Sequence, residues 1–218
     1  MKPRLRQTWR IGQITGEYLA RMEDVLHLYG LPCDAKRPVV CFDEMPVQLT
    51  GDAVAPPEMR RGTPRREDYE YERGGVAVLP VAFEPLTGRR LVETSRRRTE
   101  ADYCRFMRRV AGMFPAAEKV TLVQDNLNTH NASSFYENLP PAEAFALAQR
   151  FEMHYPPKKG SRLNMAELEL SDISRICLSR RIGSIEALDR AVQALIKERN
   201  ELQVRVEGSS QSRKRERS

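Results

Sequence analysis

Two aspartates each close an apolar run. Val39-Val40-Cys41-Phe42 ends on Asp43, and Val120, Leu122 and Val123 lead to Asp125 in KVTLVQDNLNTH. A third acidic stretch, NMAELEL, offers Glu167 and Glu169. Carboxylates are hard oxygen donors and suit magnesium or manganese. Three of them brought together would repel strongly without a cation. Two ions about 3.5–4 Å apart in such a site would activate a water and stabilise the leaving oxygen of a phosphodiester. Each group also has a plain structural reading. Asp43 could cap a turn into EMP, Asp125 could start an Asx-turn with Asn126 and Asn128 capping the next helix, and Glu167 could complete a capping box begun by Asn164. Between the two glutamates, helical spacing favours Glu167 as the ligand. It lies within the stripe Leu163, Ala166, Leu170, Ile173 and Cys177, whereas Glu169, roughly 200° further round the axis, is expected in solvent.

The elements that must position these groups follow from periodicity. Thr15 to Tyr29 reads as an amphipathic helix with Thr15 as N-cap. VVCF (39–42) is a short buried strand. Residues 50–75, rich in Pro, Gly and Arg, read as a long exposed loop. Strands at 75–85 and 88–95, joined across EPLTG, form a β-hairpin. Thr99 starts a helix with the stripe Tyr103, Phe106, Met107 and Val110, which Pro115 stops. After the strand at 119–125 come short helices at 133–139 and 142–150, a strand in FEMHYPP (151–157), a helix over 164–181 and a last helix from Ser184. A hairpin followed by strand-helix-strand predicts an α/β fold, with a mixed sheet and helices on its faces. If the strands ending at Asp43 and Asp125 are parallel neighbours, their ends lie about 4.8 Å apart at one rim of the sheet. Open sheets with parallel strands place their sites at that rim.

The chain has 218 residues and a net charge of +6, carried by 29 arginines and 7 lysines. Arginine presents a planar fork that suits phosphate, so the balance points to a polyanion, most simply nucleic acid. A soluble protein rich in arginine for other reasons fits the charge equally well. Cys33, Cys41, Cys104 and Cys177 are scattered with no C-x-x-C pair, which argues against a zinc site and a disulfide framework and for a reducing compartment. No stretch approaches the roughly 20 apolar residues of a membrane span, and the N-terminus lacks a signal-peptide core. A cytosolic, nucleoid-associated protein with no membrane partner is expected.

VVCFDE, VQDNLNTH and PPKKGSRLNMAELELSDISRICLSRRI resemble the three catalytic blocks of the DDE transposases, most closely the insertion sequence 630 family of the mariner-related superfamily. REDYEYERGG and FEPLTGRRLVETSRRRTEADY resemble its intervening segments, so the likeness covers about 13–200. It implies a ribonuclease H-like fold with three antiparallel strands followed by two parallel ones. It implies that Asp43, Asp125 and Glu167 are catalytic and hold two Mg2+ or Mn2+ ions. It further implies cleavage at transposon ends, attack of a freed 3′-hydroxyl on target DNA, double-stranded DNA as partner, and a homodimer. The region 50–75 corresponds to an insert that reaches the partner subunit in mariner-type relatives, so Arg60, Arg61, Arg65 and Arg66 are candidate DNA contacts. His130, five residues after Asp125, could hydrogen-bond substrate or a metal-bound water, with Asn126 beside it, or could cap and pack. His154 and His27 suit structural or surface roles. Lys158, Lys159 and Arg162 precede the glutamate helix, where phosphate contact competes with a solvated loop.

Residues 1–37 read as a linker with one amphipathic helix, 38–207 as the catalytic domain, and 208–218 as a disordered basic tail. The family's helix-turn-helix modules do not fit in 37 residues, Arg162 stands where relatives carry tryptophan, and the C-terminal end differs. These departures raise an alternative: a truncated, catalytically incompetent remnant that only binds DNA or dimerises.

Overall fold

The computed structural model of the chain describes residues 14–52, 70–127, 130–158 and 160–205. Its strands are β1 (Val39–Asp52), β2 (Tyr71–Glu84), β3 (Arg89–Val92), β4 (Val120–Gln124) and β5 (Phe151–His154). They form one sheet in the order β3-β2-β1-β4-β5. β1, β2 and β3 are antiparallel, whereas β4 and β5 continue the sheet in parallel from β1. This is the mixed five-stranded sheet expected from the sequence. The helices are α1 (Gly16–Gly30), α2 (Glu100–Met113), α3 (Ser133–Asn138), α4 (Pro141–Gln149), α5 (Ala166–Cys177) and α6 (Ile185–Glu201).

Strand alternation sends β1 residues to opposite faces. Val40 and Phe42 join Tyr103, Phe106, Met107 and Val110 of α2, with Phe135 of α3 and Leu147 of α4. On the other face, Val47 and Leu49 meet Leu170, Ile173 and Cys177 of α5 and Leu188, Val192 and Ile196 of α6. Val39 and Cys41, with Val123 of β4, meet Val25 and Leu28 of α1 and Ala166 of α5. The helix starts are set locally. Thr15 accepts from the Tyr18 N–H, Ser184 accepts from the Ala187 N–H, and Thr99 and Asp102 form a reciprocal capping box. The β2–β3 hairpin turns at Gly88, whose φ of +77° favours glycine and where a Cβ would sit 2.8 Å from backbone atoms of Gln203 and Val204.

Three expectations need correction. β1 does not stop at Phe42 but runs on through Asp43 to Asp52, and β2 starts at Tyr71. The loop expected over 50–75 therefore gives its ends to a long antiparallel ribbon, and 53–69 lie outside the described residues. Beyond Phe42 the pairing with β4 has ended and β1 is an edge on that side, where Pro46 is tolerated. The helix expected over 164–181 is shorter, ending at Cys177 after a 3-10 turn at Ser161–Leu163. The basic tail at 208–218 also lies outside the described residues.

Candidate active site

β1 and β4 run side by side over only four pairs, the last being Phe42 opposite Gln124. The next residues are Asp43 and Asp125. β1 continues at that point and β4 ends, so the two aspartates stand together where the parallel pairing opens. Asn164 brings in the third carboxylate. Its side chain is buried, its Nδ2 donates to the Phe42 carbonyl at 2.8 Å, and its Oδ1 accepts from the Ala166 N–H at 3.1 Å. The first turn of α5, which carries Glu167, is thereby pinned to the residue before Asp43. Tyr29 of α1 adds a second anchor by donating its O–H to the Leu163 carbonyl at 2.8 Å. The segment expected to act as a linker thus helps to fix the glutamate helix.

Asp43 senses the other two carboxylates. The Asp43 carboxyl is pushed up from 3.8 to about 6, chiefly by burial, with the charges of Asp125 and Glu167 adding to it. The Glu44 N–H, donating to Asp43 Oδ1 at 2.7 Å, and the His130 ring pull the other way without prevailing. A half-buried acid among acids is the environment that a divalent cation relieves. The donors are all carboxylate oxygen, which fits magnesium or manganese in kind. Among the described residues, no three acidic, histidine or cysteine side chains are already drawn into a finished ligand cluster.

The raised acid gives a pH prediction. A carboxyl with a folded pKa above its unfolded value favours folding when protonated, so its contribution is lost as pH rises from about 4 through about 6. In the presence of a chelator, Asp43→Asn is expected to melt above the wild type at pH 7.5, with the gap shrinking at pH 4.5. Equal melting temperatures at pH 7.5 would show that Asp43 is not under this strain.

His130 is fully buried between Phe42 and Tyr103, with ring centroids 5.0 Å from each. Its Nδ1 lies 2.5 Å from Asp125 Oδ1 and its Nε2 lies 3.4 Å from Glu44 Oε2. Burial alone would lower the imidazole's pKa, but the hydrogen bond to Asp125 and the nearby charges of Glu44 and Asp125 outweigh it and raise it. The ring's two polar atoms therefore face protein carboxylates. Asn126 beside Asp125 is exposed. His154 pairs with Asp24 of α1 at 2.8 Å, in keeping with a structural role.

Glu169 overturns the expectation of a solvated side chain. It is 2% exposed and lies against two arginines, Arg90 Nε at 3.0 Å and Arg199 Nε at 3.1 Å. Arg199 also reaches Asp172 at 2.9 Å, while Arg90 donates to the carbonyls of Gly88 and Val204. Both glutamates flank the apolar stripe of α5, on opposite sides. α6 packs on the Glu169 side and supplies Arg199. Glu167, half-buried, is left facing the open edge, where it lines a groove of about 500 Å3 with Met45, Ser171, Ser174 and Arg175.

Of the expected phosphate contacts, Lys158 and Arg162 are exposed just before α5. Arg60, Arg61, Arg65, Arg66 and Lys159 lie outside the described residues. Sequence reasoning missed Glu44 and the tether at Asn164. Glu44 was findable, because alternation from Val40 and Phe42 puts it on a core face where a charge needs a partner.

With this geometry in hand, comparison with known proteins gives the class. The chain belongs to the DDE superfamily endonuclease family, which matches residues 38–189 and so spans all three carboxylates. Among solved structures, the Mos1 strand transfer complex matches at a TM-score of 0.58 and 14% identity, covering 90% of this chain and 59% of that one. A pre-cleavage Mos1 transpososome matches at 0.51 and 14% identity, covering 93% of this chain and 66% of that one. A Mos1 mariner paired end complex with Mn matches at 0.50 and 14% identity, with 91% and 65% covered. These likenesses establish a shared ribonuclease H-like fold, and this chain spans about three fifths of the length of the first. No curated protein matches the sequence. Among the described residues, no helix is long and apolar enough to cross a membrane.

Proposed function

We propose that this chain is the catalytic domain of a DDE transposase of the insertion sequence 630 branch, cutting double-stranded DNA at transposon ends and joining the freed 3′-hydroxyl to a target. What supports the proposal is that Asp43, one residue beyond the last β1–β4 pair, feels the charges of both Asp125 and Glu167. Asp43 and Asp125 hold divalent metal from two adjacent strands, and Glu167 completes the set from α5. Bound Mg2+ or Mn2+ supplies an activated water or 3′-hydroxyl and neutralises charge on the phosphodiester. The chain's own part is to fix these ligands. Asn164 and Tyr29 hold the start of α5, and His130 holds Asp125. The groove beside Glu167, lined also by Arg175, offers a place for a strand's phosphates, and the exposed Lys158 and Arg162 precede the same helix. The Mos1 strand transfer complex and the Mos1 mariner paired end complex with Mn support this reading, as does the arginine-rich charge. A homodimer acting in the bacterial cytosol completes it.

The test is a duplex carrying the inverted repeat that flanks the gene, incubated with purified protein and Mg2+ or Mn2+. Nicks at the repeat boundary that leave a 3′-hydroxyl are expected, followed by joining to added plasmid. Cleavage of the RNA in an RNA–DNA hybrid, with the repeat untouched, would assign the site to a different ribonuclease H-like nuclease.

A further inference from the structure

Asp43 and Glu44 are neighbours on one strand, so their side chains leave the sheet on opposite faces. Asp43 points toward the side of α5. Glu44 points toward the side of α2, in line with Val40 and Phe42, and its side chain is 6% exposed. There it meets Arg98, which leads into α2, and His130. The His130 ring is wedged between Phe42 and Tyr103, and the Tyr103 O–H donates to Gln124 Oε1 at 2.9 Å. Gln124, the last residue of β4, in turn donates from Nε2 to the His130 carbonyl at 2.9 Å. The ring is thus held from both faces and from its own backbone. Its one link toward the site is Nδ1 to Asp125 Oδ1, at 2.5 Å.

From this geometry we infer that Glu44 is a positioning residue that acts through His130. Its charge, 3.4 Å from the far nitrogen of the ring, favours the orientation that turns the near nitrogen to Asp125, and so commits one oxygen of Asp125 and leaves the other for metal. The pair Asp43–Glu44 works as a unit across the sheet, one acid as ligand and the other as the support of the opposite ligand. Asp125 follows the last residue of β4 and is 39% exposed, so no strand pairing of its own holds its side chain. A carboxylate in that position needs an external support to stay oriented, and His130 with Glu44 behind it provides one. Groups behind metal ligands commonly contribute 10–100-fold to metal affinity.

The inference rests on the proposed metal site and is tested by Mn2+ binding, read by electron paramagnetic resonance on the full chain. Glu44→Gln keeps the shape and removes the charge. It is expected to fold, to bind Mn2+ about tenfold more weakly, and to lower the rate of end cleavage with little change in KM for DNA. His130→Asn should weaken Mn2+ to a similar degree, and the double variant should lose no more than the worse single one, because the two act in series. Wild-type affinity in folded Glu44→Gln would overturn the inference. So would additive losses in the double variant together with an equal loss in Arg98→Met, which would make Glu44 a partner of Arg98 alone. If the wild type and Asp125→Asn bind Mn2+ alike, the metal site fails, and this inference fails with it.

Discussion

Asp125→Asn, and separately Asp43→Asn, should lower end cleavage by roughly 10^3-fold or more while leaving the protein folded. Asparagine keeps the size of the side chain and one oxygen but gives up the charge. A metal-held site supplies several kcal/mol of transition-state stabilisation, and a loss of about 4 kcal/mol corresponds to about 10^3-fold in rate. The two substitutions strike at adjacent positions, one beyond Phe42 and one beyond Gln124, so their effects should overlap and not multiply. Gel assays with Mg2+ and Mn2+ side by side read the result. Cleavage within a few-fold of wild type for either variant would remove that aspartate from the reaction.

The second large effect separates the two glutamates of NMAELEL. Glu169→Ala should cost about 3–5 kcal/mol of stability, because it leaves Arg90 and Arg199 facing each other without their shared carboxylate in a buried place. For a chain of this size that is a fall in melting temperature of about 10 °C. Glu167→Ala should change stability little and abolish cleavage, because Glu167 is half-buried at the open groove. Thermal denaturation and end cleavage of the two variants, measured together, give opposite patterns. If Glu169→Ala melts with the wild type, the buried ion cluster is not holding α5, α6 and β3 together.

The pair also shows what the sequence disclosed. Strand positions and helix starts were legible because each rests on local signals: the apolar run VVCF, the caps at Thr15, Thr99 and Ser184, and the turn at EPLTG, whereas the order of the strands in the sheet was expected from the family resemblance. Asp43 and Asp125 stood out in the sequence because each ends an apolar run. Glu169 was misplaced because a helical wheel gives angles and not neighbours. Glu167 and Glu169 both flank the stripe, and only the docking of α6, with Arg199 facing inward, decides which one is buried. β1 was cut short because its apolar run stops at Phe42, whereas its pairing with β2 continues to Asp52. The long-range contacts of Glu44, Asn164 and Tyr29 were not legible for a related reason. Their partners, His130, Phe42 and Leu163, are 86, 122 and 134 residues away along the chain, and no local pattern reports such distances.

The central claim is that Asp43, Asp125 and Glu167 share divalent metal. Anomalous diffraction from crystals of the full chain soaked in Mn2+ tests it most directly. The account predicts manganese peaks within coordination distance of all three carboxylates, at the point where β1 and β4 part, and their loss in Asp125→Asn. Manganese bound elsewhere, with the three carboxylates unliganded, would contradict it.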